Sequence, residues 1–101
     1  MSKVYVVQDD GRKNLAPALA YGDIEVLATR DLTVFGNPAN AIEALQAKLK
    51  DFDPDKDYLI PAGDPLLIGI AFHTIAAKSG IVPCLKWDRQ STAYFQVTIK
   101  I

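Results

Sequence analysis

Tyr58-Leu59-Ile60-Pro61-Ala62-Gly63-Asp64-Pro65 is the stretch that decides the fold. Tyr58 to Ala62 is a short apolar run and reads as a strand. Pro61, which cannot donate to a ladder, belongs at an edge or at the strand exit. Gly63 ends the run. Asp64 then offers a side-chain oxygen to the free N–H groups of a new helix, and Pro65 takes the first helical position.

Downstream, the spacing predicts a helix over Pro65 to Lys78, closed by Gly80. Leu66, Leu67, Ile68, Ile70, Phe72 and Ile75 leave only a narrow stripe of Gly69, His73 and Ala76. Such a helix is buried on most sides, between layers or against another subunit. Ile81 to Trp87 and Ala93 to Ile101 read as two strands joined by Asp88-Arg89-Gln90-Ser91-Thr92. In the second, Phe95, Val97, Ile99 and Ile101 alternate with Tyr94, Gln96, Thr98 and Lys100, the pattern of a half-buried hairpin strand with one wet face.

Upstream, Asp51 to Asp57 is an acidic turn around Pro54. Before it, Asn37-Pro38 opens an amphipathic helix whose apolar stripe is Ile42, Leu45, Leu49 and Phe52. Ile24 to Ala28 is a short strand, and Arg12 to Gly22, interrupted by Pro17, is a loop with at most one or two helical turns. Lys3 to Gln8 is apolar at nearly every position, as in a strand covered on both faces. The order predicts a single α/β domain over 1–101: a small mostly parallel sheet with two covering helices and a C-terminal antiparallel β-hairpin.

Composition narrows the function classes. Half of the 101 residues are hydrophobic, and 11 basic residues face 12 acidic ones, a net charge of −1. That balance lacks the basic excess of a general nucleic-acid binder but allows a local basic patch. One cysteine and one histidine cannot form an internal disulfide or a Cys/His zinc site. No long apolar segment suggests a signal peptide or membrane span, so the expectation is a cytoplasmic protein.

Three segments could carry chemistry. The turn into Asp64-Pro65 has the form of an anion-binding helix start, but it lacks phosphate-loop glycines and Asp64 caps the N–H groups itself. Gly63-Asp64-Pro65-Leu66-Leu67 with Gly69 locally resembles a loop of the much larger tetrapyrrole methylases. Asp9, Asp10 and Asp64 would meet at one sheet edge if the first and third strands were parallel neighbours, as carboxylates do around Mg²⁺ in receiver and phosphohydrolase domains. Alternatively, Asp9-Asp10-Gly11 is a turn and Asp64 a cap. The terminal hairpin concentrates Lys86, Trp87, Arg89 and Tyr94, with four basic residues and one acidic between Lys78 and Ile101. Tryptophan, tyrosine and arginine anchor interfaces, and aromatic rings among basic neighbours stack single-stranded bases. Trp87 packing inward beside Leu85 is the competing reading. No catalytic residue is nominated: His73 lacks a nucleophilic partner, and Cys84 reads as a small core residue.

Val6-Val7-Gln8, Lys13-Asn14-Leu15 with Pro17-Ala18, Tyr21-Gly22, Gly63-Asp64-Pro65 with Ile68-Gly69 and Ala71, and Leu85-Lys86-Trp87-Asp88-Arg89-Gln90 with Tyr94 and Val97 resemble a group of small uncharacterised phage and mobile-element proteins. The resemblance spans most of the chain and implies a viral or prophage setting, with no known activity or cofactor. The leading expectation is a non-catalytic binding protein whose hairpin and basic loop (Arg12, Lys13) face a protein or nucleic-acid partner. A Mg²⁺-dependent nucleotide- or phosphate-handling protein, and an oligomeric structural protein with the second helix as its seam, are the alternatives. A homodimer or higher oligomer is expected, with the helix from Leu66 to Ile75 or the hairpin edge in its interface. A domain of this size has little core, and this helix has more apolar surface than one sheet face needs.

Overall fold

The computed structural model describes residues 2–9 and 11–101. Five strands, β1 (Lys3–Gln8), β2 (Asp23–Ala28), β3 (Tyr58–Ile60), β4 (Ile81–Asp88) and β5 (Ala93–Lys100), form one sheet in the order β2-β1-β3-β4-β5. Val4 lies between Ile24 of β2 and Tyr58 of β3, both parallel to it, and Leu59 of β3 pairs with Cys84 of β4, again parallel. Only β5 runs antiparallel, with Cys84 opposite Val97. The α/β architecture with an antiparallel C-terminal hairpin is thus as the sequence predicts.

Two helices, α1 (Pro38–Leu49) and α2 (Pro65–Ser79), cover one face of the sheet. Their core joins Tyr5, Val7, Leu27, Leu59, Val82 and Cys84 of the strands to Ala41, Leu45 and Leu49 of α1 and Leu67, Ala71 and Ile75 of α2. Truncating a buried leucine here, such as Leu45, should cost about 2–5 kcal/mol. The opposite face has thinner cover. Val4, Val6, Ile60, Leu85 and Tyr94 pack there against Leu15, Ala18 and Tyr21 of a strap containing one 3-10 helix (Ala16–Ala20), which Pro17 starts. The expected loop with a turn of helix is this strap.

Capping follows local chemistry. Asp64 accepts from the Leu66 N–H at 2.9 Å, and Gly80 closes α2 at φ 72°, a left-handed conformation that glycine adopts without strain. Asn37 starts α1 without a side-chain cap, the work falling to Pro38. At the other end of α1, Lys78 of α2 donates to the Leu49 and Lys50 carbonyls at 3.1 and 2.8 Å, satisfying orphan acceptors where a cation also suits the helix dipole.

Two expected faces are corrected. The buried stripe of α1 is Ala41, Leu45 and Leu49, while Ile42 is exposed beside it. In β5 the buried side chain is Tyr94, from the series expected to be wet, whereas Phe95, Val97 and Ile99 are exposed. The reason is width. Two helices about 10 Å apart span roughly four strands at about 4.8 Å spacing, so the fifth strand is left uncovered. In the same way α2 has one fully buried stripe and an exposed crest of Leu66, Gly69, His73 and Ala77 rather than burial on most sides.

Candidate binding site

The strand order reverses between β1 and β3, since β1 leads to β2 on one side and the chain then returns to β3 and β4 on the other. In open α/β sheets the crevice at the carboxyl ends of such strands is the usual ligand site. Here it is filled by Gln8. Its side-chain amide donates to the Thr29 and Leu32 carbonyls at 2.9 and 3.1 Å and accepts from the Asp64 N–H at 3.0 Å. Gly63 passes so close, at φ +102°, that a Cβ there would overlap the Gln8 side chain.

The parallel pairing of β1 and β3 does bring Asp9 and Asp64 to one edge of the sheet. Each carboxylate serves local backbone: Asp9 accepts from Gly11 N–H at 2.9 Å, and Asp64 caps α2. Asp10, the third member of the expected Mg²⁺ set, lies outside the described residues. Among the described residues no group of three or more His, Cys, Asp or Glu side chains is poised to hold a metal ion.

The basic and aromatic residues converge one strand further along. Lys13, Leu85, Lys86, Trp87, Arg89 and Tyr94, with the β3 exit Ile60-Pro61-Ala62, line a cavity of about 220 Å³. Arg12, Lys13, Asn14, Trp87 and Arg89 line a second of about 360 Å³, so the two adjoin through Lys13, Trp87 and Arg89. All six residues nominated from the sequence border these cavities, from segments more than 70 positions apart, Lys86 from the opposite face of its strand. No acidic side chain among the described residues lines either cavity.

Alternation along β4 places Trp87 on the strap side and Lys86 on the helix side. Trp87 is half-buried. Its ring stands edge-on to Tyr94 with centroids 4.9 Å apart and also lines both cavities. Tyr94 is buried and supports the site from beneath. Its hydroxyl donates to the Asn14 carbonyl at 3.0 Å, and Tyr21 donates to the Tyr94 carbonyl at 2.9 Å. These two bonds tie the strap to the hairpin and bring Lys13 to the cavities that Trp87 also lines. Desolvation pushes the Tyr94 hydroxyl up from its ordinary pKa, so it remains a neutral donor across the ordinary pH range.

Asp88, the acidic residue next to Trp87, is turned into the hairpin bend. The Ser91 hydroxyl and N–H donate to it at 2.7 and 3.3 Å, and the hydroxyl bond leads in holding its carboxyl below the usual range. Cys84 is buried in the helix-side core, and desolvation raises its thiol pKa, which suits packing rather than nucleophilic chemistry. The walls contributed by Asn14, Ile60, Pro61 and Ala62, and the Gln8 plug, have no signature in the sequence taken one segment at a time.

The fold and this cleft define a small α/β protein with a plugged switch-point crevice and a basic, aromatic cleft at its hairpin. The chain belongs to the Phage Pam3 gp32-like protein family, whose model matches residues 2–101. It is a phage protein, as the sequence resemblance implies. No curated protein and no solved structure matches it. Among the described residues no helix is long and apolar enough to cross a membrane.

Proposed function

We propose that the protein is a non-catalytic phage accessory protein that holds an anionic partner in the cleft between the strap and the β4–β5 hairpin. One observation supports this reading: Lys13 and Arg89, from opposite ends of the chain, line the same two adjoining cavities as the half-buried Trp87 ring. Cations and an aromatic ring lining one cleft suit a ligand that offers negative charge and a flat surface together. Single-stranded nucleic acid has both at every residue. The net charge of −1 limits binding elsewhere on the surface and so favours the cleft.

Trp87 is the sole tryptophan and reports on the cleft directly. Titration with a short oligothymidylate should quench its emission, and the affinity should fall steeply with salt. Arg89→Ala should weaken binding by about 1–3 kcal/mol, and Lys13→Ala should also lower the salt dependence. Unchanged emission at low salt with both DNA and RNA single strands would discard nucleic acid as the partner. Quenching by an acidic peptide in its place would assign the cleft to a protein.

A further inference from the structure

We propose that two copies of the chain associate by antiparallel pairing of β5 with β5 across a two-fold axis, setting the exposed apolar helix-side rows of both strands side by side. The argument begins at the sheet edges. β2 and β5 are the outer strands. β2 has six residues and carries Asp23 and Glu25, with Glu25 in an ion pair with Lys3. β5 has eight residues, with no proline or acid and one charge, Lys100, at its end. Charge, proline and brevity are the usual defences of a free edge against another strand. β2 has charge and the shorter length, whereas β5 has no proline, is longer and carries its one charge at its end.

The side chains agree with the backbone. Val97 and Ile99 pair with Cys84 and Val82, which pack under α2, so β5 presents its apolar series on the helix side. There Phe95 is 51 % exposed, Val97 40 %, Ile99 38 % and Ile101 80 %. Ile68, Phe72 and Ala76, on the flank of α2, form a groove of about 580 Å³ together with Ile101. An uncovered strand and an uncovered helix flank thus belong to one surface.

A second copy suits that surface because antiparallel self-pairing matches like with like. Centred on Val97, the two-fold sets Phe95 against Ile99 of the other copy on the helix side, and Gln96 against Thr98 on the strap side. Lys100 then faces Tyr94, so no like charges oppose each other. A strand of eight residues runs roughly 26 Å, long enough for a ladder along its whole length with the apolar row of each copy against the other. The edge at β5 would disappear into a continuous ten-stranded sheet.

Sedimentation of the full chain at tens of micromolar should give twice the 11.0 kDa chain mass. Val97→Lys should sediment as the single chain with an unchanged circular dichroism spectrum. Should that variant lose its fold, Phe95→Lys, at the most exposed of the three paired positions, takes its place in the comparison. Ala47→Glu, on the exposed back of α1, should leave the dimer intact. A native species of 11.0 kDa, a closed assembly larger than two, or a dimer that survives the β5 substitution would overturn the proposal. Oligothymidylate binding reads the cleft separately, so either proposal can fail alone.

Discussion

Gln8 is the residue on which the sheet edge depends. It is buried, and the NH2 and the carbonyl of its side-chain amide serve partners 21, 24 and 56 positions away in the chain. Gln8→Ala would strand two carbonyls and one N–H, at about 1–3 kcal/mol for each group that water cannot reach. Gln8→Glu should be no milder, because a carboxylate cannot donate to the Thr29 and Leu32 carbonyls. Urea unfolding should therefore show both variants less stable by about 2 kcal/mol or more. A loss within about 0.5 kcal/mol, the range of an ordinary surface change, would show that the plug contributes little. None of this is legible locally: a glutamine at the end of an apolar strand looks like a polar terminus until the folded chain brings Thr29, Leu32 and Asp64 around it. Asp57 is a second such case. It is buried and accepts from the N–H groups of Lys3 and Asp53, both at 2.9 Å, which pins the acidic turn to the start of β1.

Elements were readable where one local signal sufficed. The caps of α2, the hairpin and the buried first strand follow from residues within a few positions of one another. The exposed side of β5 was not, because its burial depends on how many helices lie over the sheet and not on its own alternation. On α2, sequence composition suggested burial nearly all round, and the crest at Gly69 is open instead. That makes a sharp expectation. Glycine inside a helix costs roughly 0.5–1 kcal/mol relative to alanine, and a Cβ at Gly69 meets nothing within 4 Å. Gly69→Ala should raise the unfolding free energy by about that amount. A destabilised variant would mean that the crest is already in contact with another surface through its backbone.

At the scale of the whole molecule, the two faces of the sheet are unequally secured. One carries α1, α2 and most of the large buried side chains; the other carries a strap with a single 3-10 helix. The strap's backbone bonds are few, among them Ala18 N–H to Leu15 and Tyr21 N–H to Ala18, both at 2.9 Å. Regions held by few bonds and little buried carbon open at lower free energy than the rest. Amide hydrogen exchange should thus be fastest at Ala18 and Tyr21, while Val6, Leu59 and Leu85 exchange only with global unfolding. Equal protection across both groups would contradict this. The strap also carries Arg12 and Lys13, so each local opening takes the cleft apart without disturbing the helix side. Occupancy of the cleft and closure of the strap are then linked equilibria: whatever binds between Lys13 and Trp87 slows the solvent exchange of a helical turn that it never touches.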